Sequence, residues 1–232
     1  MAVGLLAVGC SSAGGGSGLD ETFTAGSAGA SPKAAGSAGA AGKALPVAID
    51  GPQKDVVMRG GDALKVLPAP ESDTPFAEKL KHSLRETLLS RAHVPGETSA
   101  DCPNGVTQKA GAVSQCTVTY EGAQVPYEVK ISDSYKPGSF IISYTRTPKK
   151  GLLVAKMVYN LLWESYGADS GRTDTSRLAC DEIPVAKTVD FDSDTGYTCQ
   201  YWSEHADDGE PGYATLKVTM GSSGSPGFKT VR

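Results

Sequence analysis

The fold is decided by the stretch from residue 101 to residue 131, which reads DCPNGVTQKAGAVSQCTVTYEGAQVPYEVKI. Apolar and polar side chains alternate on both sides of the turn signal Glu121-Gly122. One face collects Cys116, Val118, Tyr120, Val125, Tyr127, Val129 and Ile131. Period-two alternation bounded by a glycine turn is typical of antiparallel strands with one buried face. The stretch therefore predicts two neighbouring strands whose apolar face covers a core.

A third run continues the pattern after the turn signal at residues 136–138. There Phe140, Ile142 and Tyr144 alternate with Ile141, Ser143 and Thr145. We expect this run to be the next strand of the same sheet.

A weaker copy of this order lies at residues 179–219. Cys199 falls on an apolar face with Tyr197 and Tyr201, and Trp202 falls on the opposite face. After a turn, the core-facing positions are Ala214, Leu216, Val218 and Met220. Each copy has one cysteine inside a strand and one upstream of it, which predicts duplication of a small domain into a first unit (71–148) and a second unit (149–232).

A helical pattern precedes each copy. In the first, Thr74-Pro75 supplies an N-cap and a first helical residue, and Phe76, Leu80, Leu84 and Leu88 form one apolar stripe. In the second, a helix is predicted from Leu152 to about Tyr166, apolar over more than half its circumference, and we expect it to be buried between the units. The predicted fold class is α+β: two tandem units, each a helix packed on a small antiparallel sheet with one disulfide.

Net charge and the distribution of apolar residues argue against two classes of protein. The chain has 232 residues and a net charge of −4, which argues against a general nucleic-acid footprint. It contains no apolar run of roughly 18 residues, so a transmembrane helix is not predicted.

The first residues carry a targeting pattern. Residues 1–9 are apolar and are followed by Cys10-Ser11-Ser12. This resembles the end of a bacterial lipoprotein signal peptide, although Ala7 stands where a leucine is usual. The charged opening segment of a signal peptide is missing, so we expect a start codon upstream of Met1. The resemblance implies acylation of Cys10, for example with palmitate, and anchoring on the extracytoplasmic face of the cell membrane.

Residues 11–43 support that expectation. They are almost all Gly, Ala and Ser, a composition that buries too little apolar surface to fold. We expect a disordered tether with a mean reach of about 30 Å. Residues 44–70 form a lead-in segment, in which 45–49 and 55–58 are possible short strands.

The remaining four cysteines predict two disulfides. No pair has zinc-ligand spacing and the three histidines lie apart from the cysteines, so a metal site is not expected. Four cysteines allow three pairings. Duplication favours Cys102 with Cys116 and Cys180 with Cys199.

The first unit resembles a family of domains of unknown function in actinobacterial secreted and membrane-anchored proteins. The shared elements are Cys102-Pro103, Gly111, Cys116, Glu121-Gly122 and the strand 127–131. The second unit departs from the family, because Asp181 follows Cys180 where the family has proline. The resemblance implies an extracytoplasmic domain with an internal disulfide and no defined activity. In layout alone, the two tandem units are similar to the beta-lactamase inhibitor proteins of actinobacteria.

One pair of aromatic residues is a candidate binding site. If Cys199 and Leu216 face the core, strand alternation places Trp202 and Tyr213 on the opposite face among small polar residues. Aromatic residues in such surroundings are typical of recognition surfaces. The alternative is that this face is covered by the other unit or by residues 44–60.

The remaining sequence motifs give weaker indications of function. Residues 190–196, DFDSDTG, resemble the start of a calcium loop but lack its glycine and its final glutamate, so we expect an acidic turn. No nucleophile and base can be nominated, and His82 is expected at the surface. The sequence therefore favours a non-enzymatic, lipid-anchored envelope protein without a cofactor that binds an extracellular partner. The alternatives are a carrier of a small apolar ligand, an inhibitor of an extracellular enzyme and, third, a hydrolase whose site the sequence does not reveal.

Overall fold

The computed structural model describes residues 42–206 and 209–231. The fold is α+β and mainly β, with every strand pairing antiparallel. Two α-helices, α1 (Phe76–Ala92) and α2 (Ala155–Tyr166), accompany eleven strands: β1 Val47–Ile49, β2 Thr98–Asp101, β3 Val113–Tyr120, β4 Ala123–Ile131, β5 Tyr144–Pro148, β6 Gly151–Val154, β7 Ser176–Cys180, β8 Ala186–Val189, β9 Ser193–Ser203, β10 Gly212–Met220 and β11 Pro226–Thr230. Neither described helix is long and apolar enough to cross a bilayer. Cys10 and most of the predicted tether lie outside the described residues.

The first sheet has the order β2-β3-β4-β5, and α1 packs against it. The predicted apolar faces of β3 and β4 are confirmed, because all of their inward residues are buried. Leu80, Leu84 and Leu88 of the predicted helical stripe are also buried. The helix begins at Phe76, with Pro75 rather than Thr74 at the cap position and no side-chain cap bond.

The second sheet has the order β1-β7-β9-β10-β11, and α2 contacts both of its outer strands and β7. Alternation in β10 is as predicted, since Ala214, Leu216, Val218 and Met220 are all buried. Together with α2 these residues form a second hydrophobic core.

The helix predicted to start at Leu152 starts three residues later, because residues 151–154 form strand β6 instead. Both faces of β6 are buried: Leu152 and Val154 lie in the first core, and Leu153 lies in the second. A strand buried on both faces reads as a continuous apolar run, and periodicity alone cannot distinguish that from a buried helix.

The lead-in segment connects the two cores. Strand β1 pairs with β7 of the second sheet, whereas Leu64 and Val66 lie in the first core. The strand predicted at 55–58 is absent; instead the amide of Val57 donates to the carbonyl oxygen of His93 at 2.7 Å. The segment is therefore an integral part of the fold.

The run from Phe140 does supply the next strand of the first sheet, but its predicted start is wrong. Strand β5 begins at Tyr144, and residues 132–143 form an exposed connection in which both Phe140 and Ile141 face solvent. The alternation at residues 140–143 therefore does not reflect strand pairing.

Both disulfides favoured by duplication are present, Cys102–Cys116 and Cys180–Cys199. Cys180 and Cys199 are direct cross-strand neighbours on β7 and β9. Cys102 directly follows β2, whose last residue pairs with Thr117 beside Cys116. Each bond thus joins two neighbouring strands on the core side of its sheet.

Candidate recognition surface

Trp202 and Tyr213 lie side by side on the outer face of the second sheet. They are direct cross-strand partners on β9 and β10, and their rings meet edge to face with centroids 5.2 Å apart. Both side chains are half-buried, while Cys199 and Leu216 on the other face are fully buried. The alternation that assigned the two aromatic residues to the outer face is therefore correct.

Arg177 completes the aromatic pair. Its guanidinium carbon lies 5.1 Å from the centroid of the Trp202 ring, within cation–π distance. The pairing of β7 with β9 shifts register between Ser176 and Ala179, and Arg177 has φ of 46° in that shift. A β-bulge of this kind re-aims a side chain. Sequence alternation cannot find Arg177, because the bulge breaks the period.

The connection before β7 is held by a second stack on the inner side. The rings of Tyr166 and Tyr201 stack with centroids 4.7 Å apart, and the Arg172 guanidinium lies 5.0 Å from the Tyr166 centroid. The hydroxyl of Thr175 donates to the carbonyl oxygen of Tyr166 at 2.7 Å. These contacts hold residues 172–177 in place, so the outer site is preorganised and loses less entropy on binding.

A depression of about 440 Å³ opens beside Trp202, lined by residues 173–177 and 202–205. The hydrogen bond that Asp174 accepts from Arg172 is the main reason why the pKa of Asp174 is lowered. Ser203 accepts a hydrogen bond from the amide of His205 through its hydroxyl. The depression thus combines an indole ring, a guanidinium group, an exposed imidazole and the carboxylates of Asp174 and Glu204 with small hydroxyl side chains, a mixture suited to recognition.

Part of the outer face is covered, although by Lys43 rather than by the other unit or by residues 44–60. Gln200 is only 1% exposed although it lies on the same face as Trp202. Its side-chain amide donates to the carbonyl oxygen of Lys43 at 3.4 Å. The start of the described chain therefore covers Gln200 in the middle of the sheet, whereas surface stays open at the end that holds Trp202 and Tyr213 and at the end that holds Lys217.

Charged residues flank the opposite end of this face. The ammonium group of Lys217 lies 3.0 Å from the carboxylate of Asp194. Asp194 also accepts a hydrogen bond from the amide of Gly196, and this bond is the largest cause that lowers the pKa of Asp194. The carboxylate within the calcium-like stretch thus closes a turn. No cluster of three metal-ligating side chains occurs among the described residues.

The histidines of the first unit have structural partners. His82, expected at the surface, is half-buried, and its Nε2 lies 2.8 Å from the carbonyl oxygen of Val66. The Nδ1 of His93 lies 3.0 Å from the carbonyl oxygen of Val57. Because a carbonyl only accepts, each ring nitrogen donates, and both imidazoles fasten the lead-in segment to α1 and its C-terminal end.

Comparison with known proteins adds no relative: no family model, no curated protein and no solved structure matches the chain.

Proposed function

We propose that this protein is a lipid-anchored, extracytoplasmic binding module without enzymatic activity. The observation that carries the proposal is the surface formed by Trp202, Tyr213 and Arg177. Tryptophan, tyrosine and arginine are the residue types that contribute most to binding energy at interfaces. Here Trp202 meets Tyr213 edge to face and Arg177 lies over the Trp202 ring, at one end of the outer face and beside a polar depression.

A binding surface is better supported than the alternative of an apolar-ligand carrier. A carrier of that kind needs an apolar cavity, but Leu80, Leu84 and Leu88 between α1 and its sheet are fully buried in a filled core. A groove that includes Met58 and Met157 has a volume of about 320 Å³. Arginine, histidine and serine side chains also line this groove, so it is less suited to an apolar molecule.

The proposal that the protein is not an enzyme rests on the contacts of its histidines, the residue type that most often acts as a catalytic base. The ring nitrogens of His82 and His93 nearest to a partner are committed to backbone carbonyl oxygens. His205 is exposed beside Trp202, where a role in binding is sufficient.

The proposed anchor is an acyl chain on Cys10. The apolar run before Cys10 and the Gly/Ala/Ser tether after it support a folded head held near the outer surface of a membrane. The resemblance of residues 76–146 to an actinobacterial domain family suggests an actinobacterial cell envelope. Replacing Cys10 with serine in the complete precursor should move the protein from the membrane fraction to the medium. Unchanged membrane partition of the variant contradicts the anchor.

We also propose that the two halves descend from one duplicated unit. The order α1-β2-β3-β4-β5 corresponds to the order α2-β7-β9-β10-β11, and in each set a disulfide joins the first two strands. Strands β1, β6 and β8 have no counterpart among the matched strands of the first unit. Mass spectrometry of a non-reduced digest should find Cys102–Cys116 and Cys180–Cys199, and any crossed pair removes the support for duplication.

The binding proposal is tested by affinity capture from an actinobacterial envelope extract. Trp202→Ala should weaken capture by more than about 1 kcal/mol, which is roughly fivefold in affinity. The lost ring pair costs about 0.5–1.5 kcal/mol of stability beyond the area that it buries, and Trp202 is only half-buried, so the variant should remain folded.

The chain offers a matched control variant. Phe76 and Tyr144 form another edge-to-face pair, with centroids 5.7 Å apart, and Arg146 lies over the Tyr144 ring. Phe76→Ala should lower stability by a similar amount without weakening capture. If both variants lose capture equally, the effect is one of stability and the surface is not a binding site. An extracellular enzyme among the captured proteins favours the inhibitor alternative.

A further inference from the structure

The connection between β4 and β5 exposes two large apolar side chains next to each other. Phe140 is 106% exposed and Ile141 is 80% exposed. A fully exposed phenylalanine beside an exposed isoleucine at the tip of a connection is unusual, because each side chain forgoes the free energy of burial.

The two apolar side chains have no part in shaping this connection. Its conformation is held by backbone bonds: the amide of Ser132 donates to the carbonyl of Ser143, and the amide of Ser139 donates to the carbonyl of Lys136. The neighbouring strand β5 buries Tyr144 in part against the first core, but Phe140 and Ile141 do not reach that core. The tip therefore presents apolar surface that is free to be buried elsewhere.

The surroundings of the tip are basic. Lys130 lies near the end of β4 beside Val113, Lys109 is joined to this end because its carbonyl accepts from the amide of Ala112, and Lys136 lies in the connection itself. Asp133 neutralises only one of them, through an ion pair of 3.0 Å with Lys130. A basic end on a chain whose net charge is −4 indicates attraction to an anionic surface.

We propose that this tip inserts Phe140 and Ile141 into the headgroup region of an anionic phospholipid bilayer. A side chain that is fully exposed lies at a convex point, where a bilayer can close around it but a flat protein surface cannot. Apolar side chains in the acyl boundary with lysines at the headgroups are the general pattern of interfacial binding. Membrane insertion rests on the proposed anchor in one respect: a tether with a mean reach of about 30 Å would keep the folded head close to the membrane.

The test uses the complete chain with Cys10→Ser, so that no acyl chain contributes. It is sedimented with vesicles of phosphatidylcholine alone and of phosphatidylcholine mixed with phosphatidylglycerol. We expect binding to the mixed vesicles and at least about tenfold weaker binding to the neutral vesicles, because each lysine near an anionic surface adds attraction. Phe140→Ser with Ile141→Ser should lower partition into the mixed vesicles by at least about tenfold.

Leu67→Ser is the matched control. Leu67 is 78% exposed and precedes Pro68, which lies beside β2 at the edge of the sheet opposite β5, so its replacement should leave partition unchanged. The proposal is overturned if the chain does not bind mixed vesicles, or if the double variant binds as well as its parent. It is also overturned if the tip mediates self-association without vesicles. These outcomes are independent of the Cys10 fractionation and of the Trp202 capture, which test the proposed function.

Discussion

Two buried tyrosines in the first core lead to a quantitative prediction. Tyr127 on β4 is 0% exposed, and its hydroxyl has no hydrogen-bond partner within the described residues. Tyr120 on β3 is 1% exposed, and its hydroxyl donates to the carbonyl oxygen of Val94 at 3.1 Å. The same substitution, tyrosine to phenylalanine, should therefore have opposite effects at neighbouring sites.

The magnitudes follow from the cost of an unmade hydrogen bond. A buried polar group without a partner costs about 1–3 kcal/mol, whereas a made hydrogen bond contributes about 1 kcal/mol net. Tyr127→Phe keeps the ring and removes the uncompensated hydroxyl, so it should raise the free energy of unfolding by about 1 kcal/mol. Tyr120→Phe leaves the Val94 carbonyl unpaired and should lower it by about 1 kcal/mol.

The assay is urea denaturation followed by circular dichroism. The midpoints of the two variants should move in opposite directions with unchanged slopes, and melting temperatures should rise or fall by about 2–4 °C for a domain of this size class. If Tyr127→Phe is less stable than the parent protein, the hydroxyl makes a stabilising interaction and the reasoning is refuted. If Tyr120→Phe is neutral, the bond to Val94 does not contribute.

Two further predictions concern the disulfides and alkaline pH. Replacing both Cys180 and Cys199 with alanine opens a loop with a sequence separation of 19, which should lower the free energy of unfolding by about 3 kcal/mol; a urea midpoint equal to that of the parent contradicts this. Burial, assisted by the charge of Glu121, raises the pKa of Tyr120 to about 12, so the folded state retains a proton that the unfolded state loses near pH 10. The stability contributed by this group is complete below pH 10 and is lost as pH rises towards 12, and Tyr120→Phe should reduce the slope of stability against pH in that window.

Local patterns were sufficient for much of the architecture. The faces of β3, β4 and β10 follow from strict alternation, because one buried face leaves a period of two in the residue types. Helix α1 follows from leucines at every fourth position. The two cysteine pairs follow from their positions in repeated strand patterns.

Residue patterns predicted the wrong structure where a segment is buried on both sides or on neither side. Strand β6 touches both cores, so its apolar residues show no period. The run from Phe140 to Thr145 has strand-like alternation, yet no neighbouring strand pairs with Phe140 and Ile141 in the described fold. Sequence periodicity records which side of a segment is buried, and it carries no information about an element that is buried on both sides or on neither.

The sequence by itself determined the α+β class, the inward faces of the main strands and the positions of Trp202 and Tyr213 on the outer face. Only the tertiary structure decided how much of that face is open. Lys43 covers Gln200, and the bulge in β7 brings Arg177 over Trp202. Both contacts join residues far apart in the chain, and their geometry depends on strand register and chain path, which are set by packing of the whole domain rather than by local residue order.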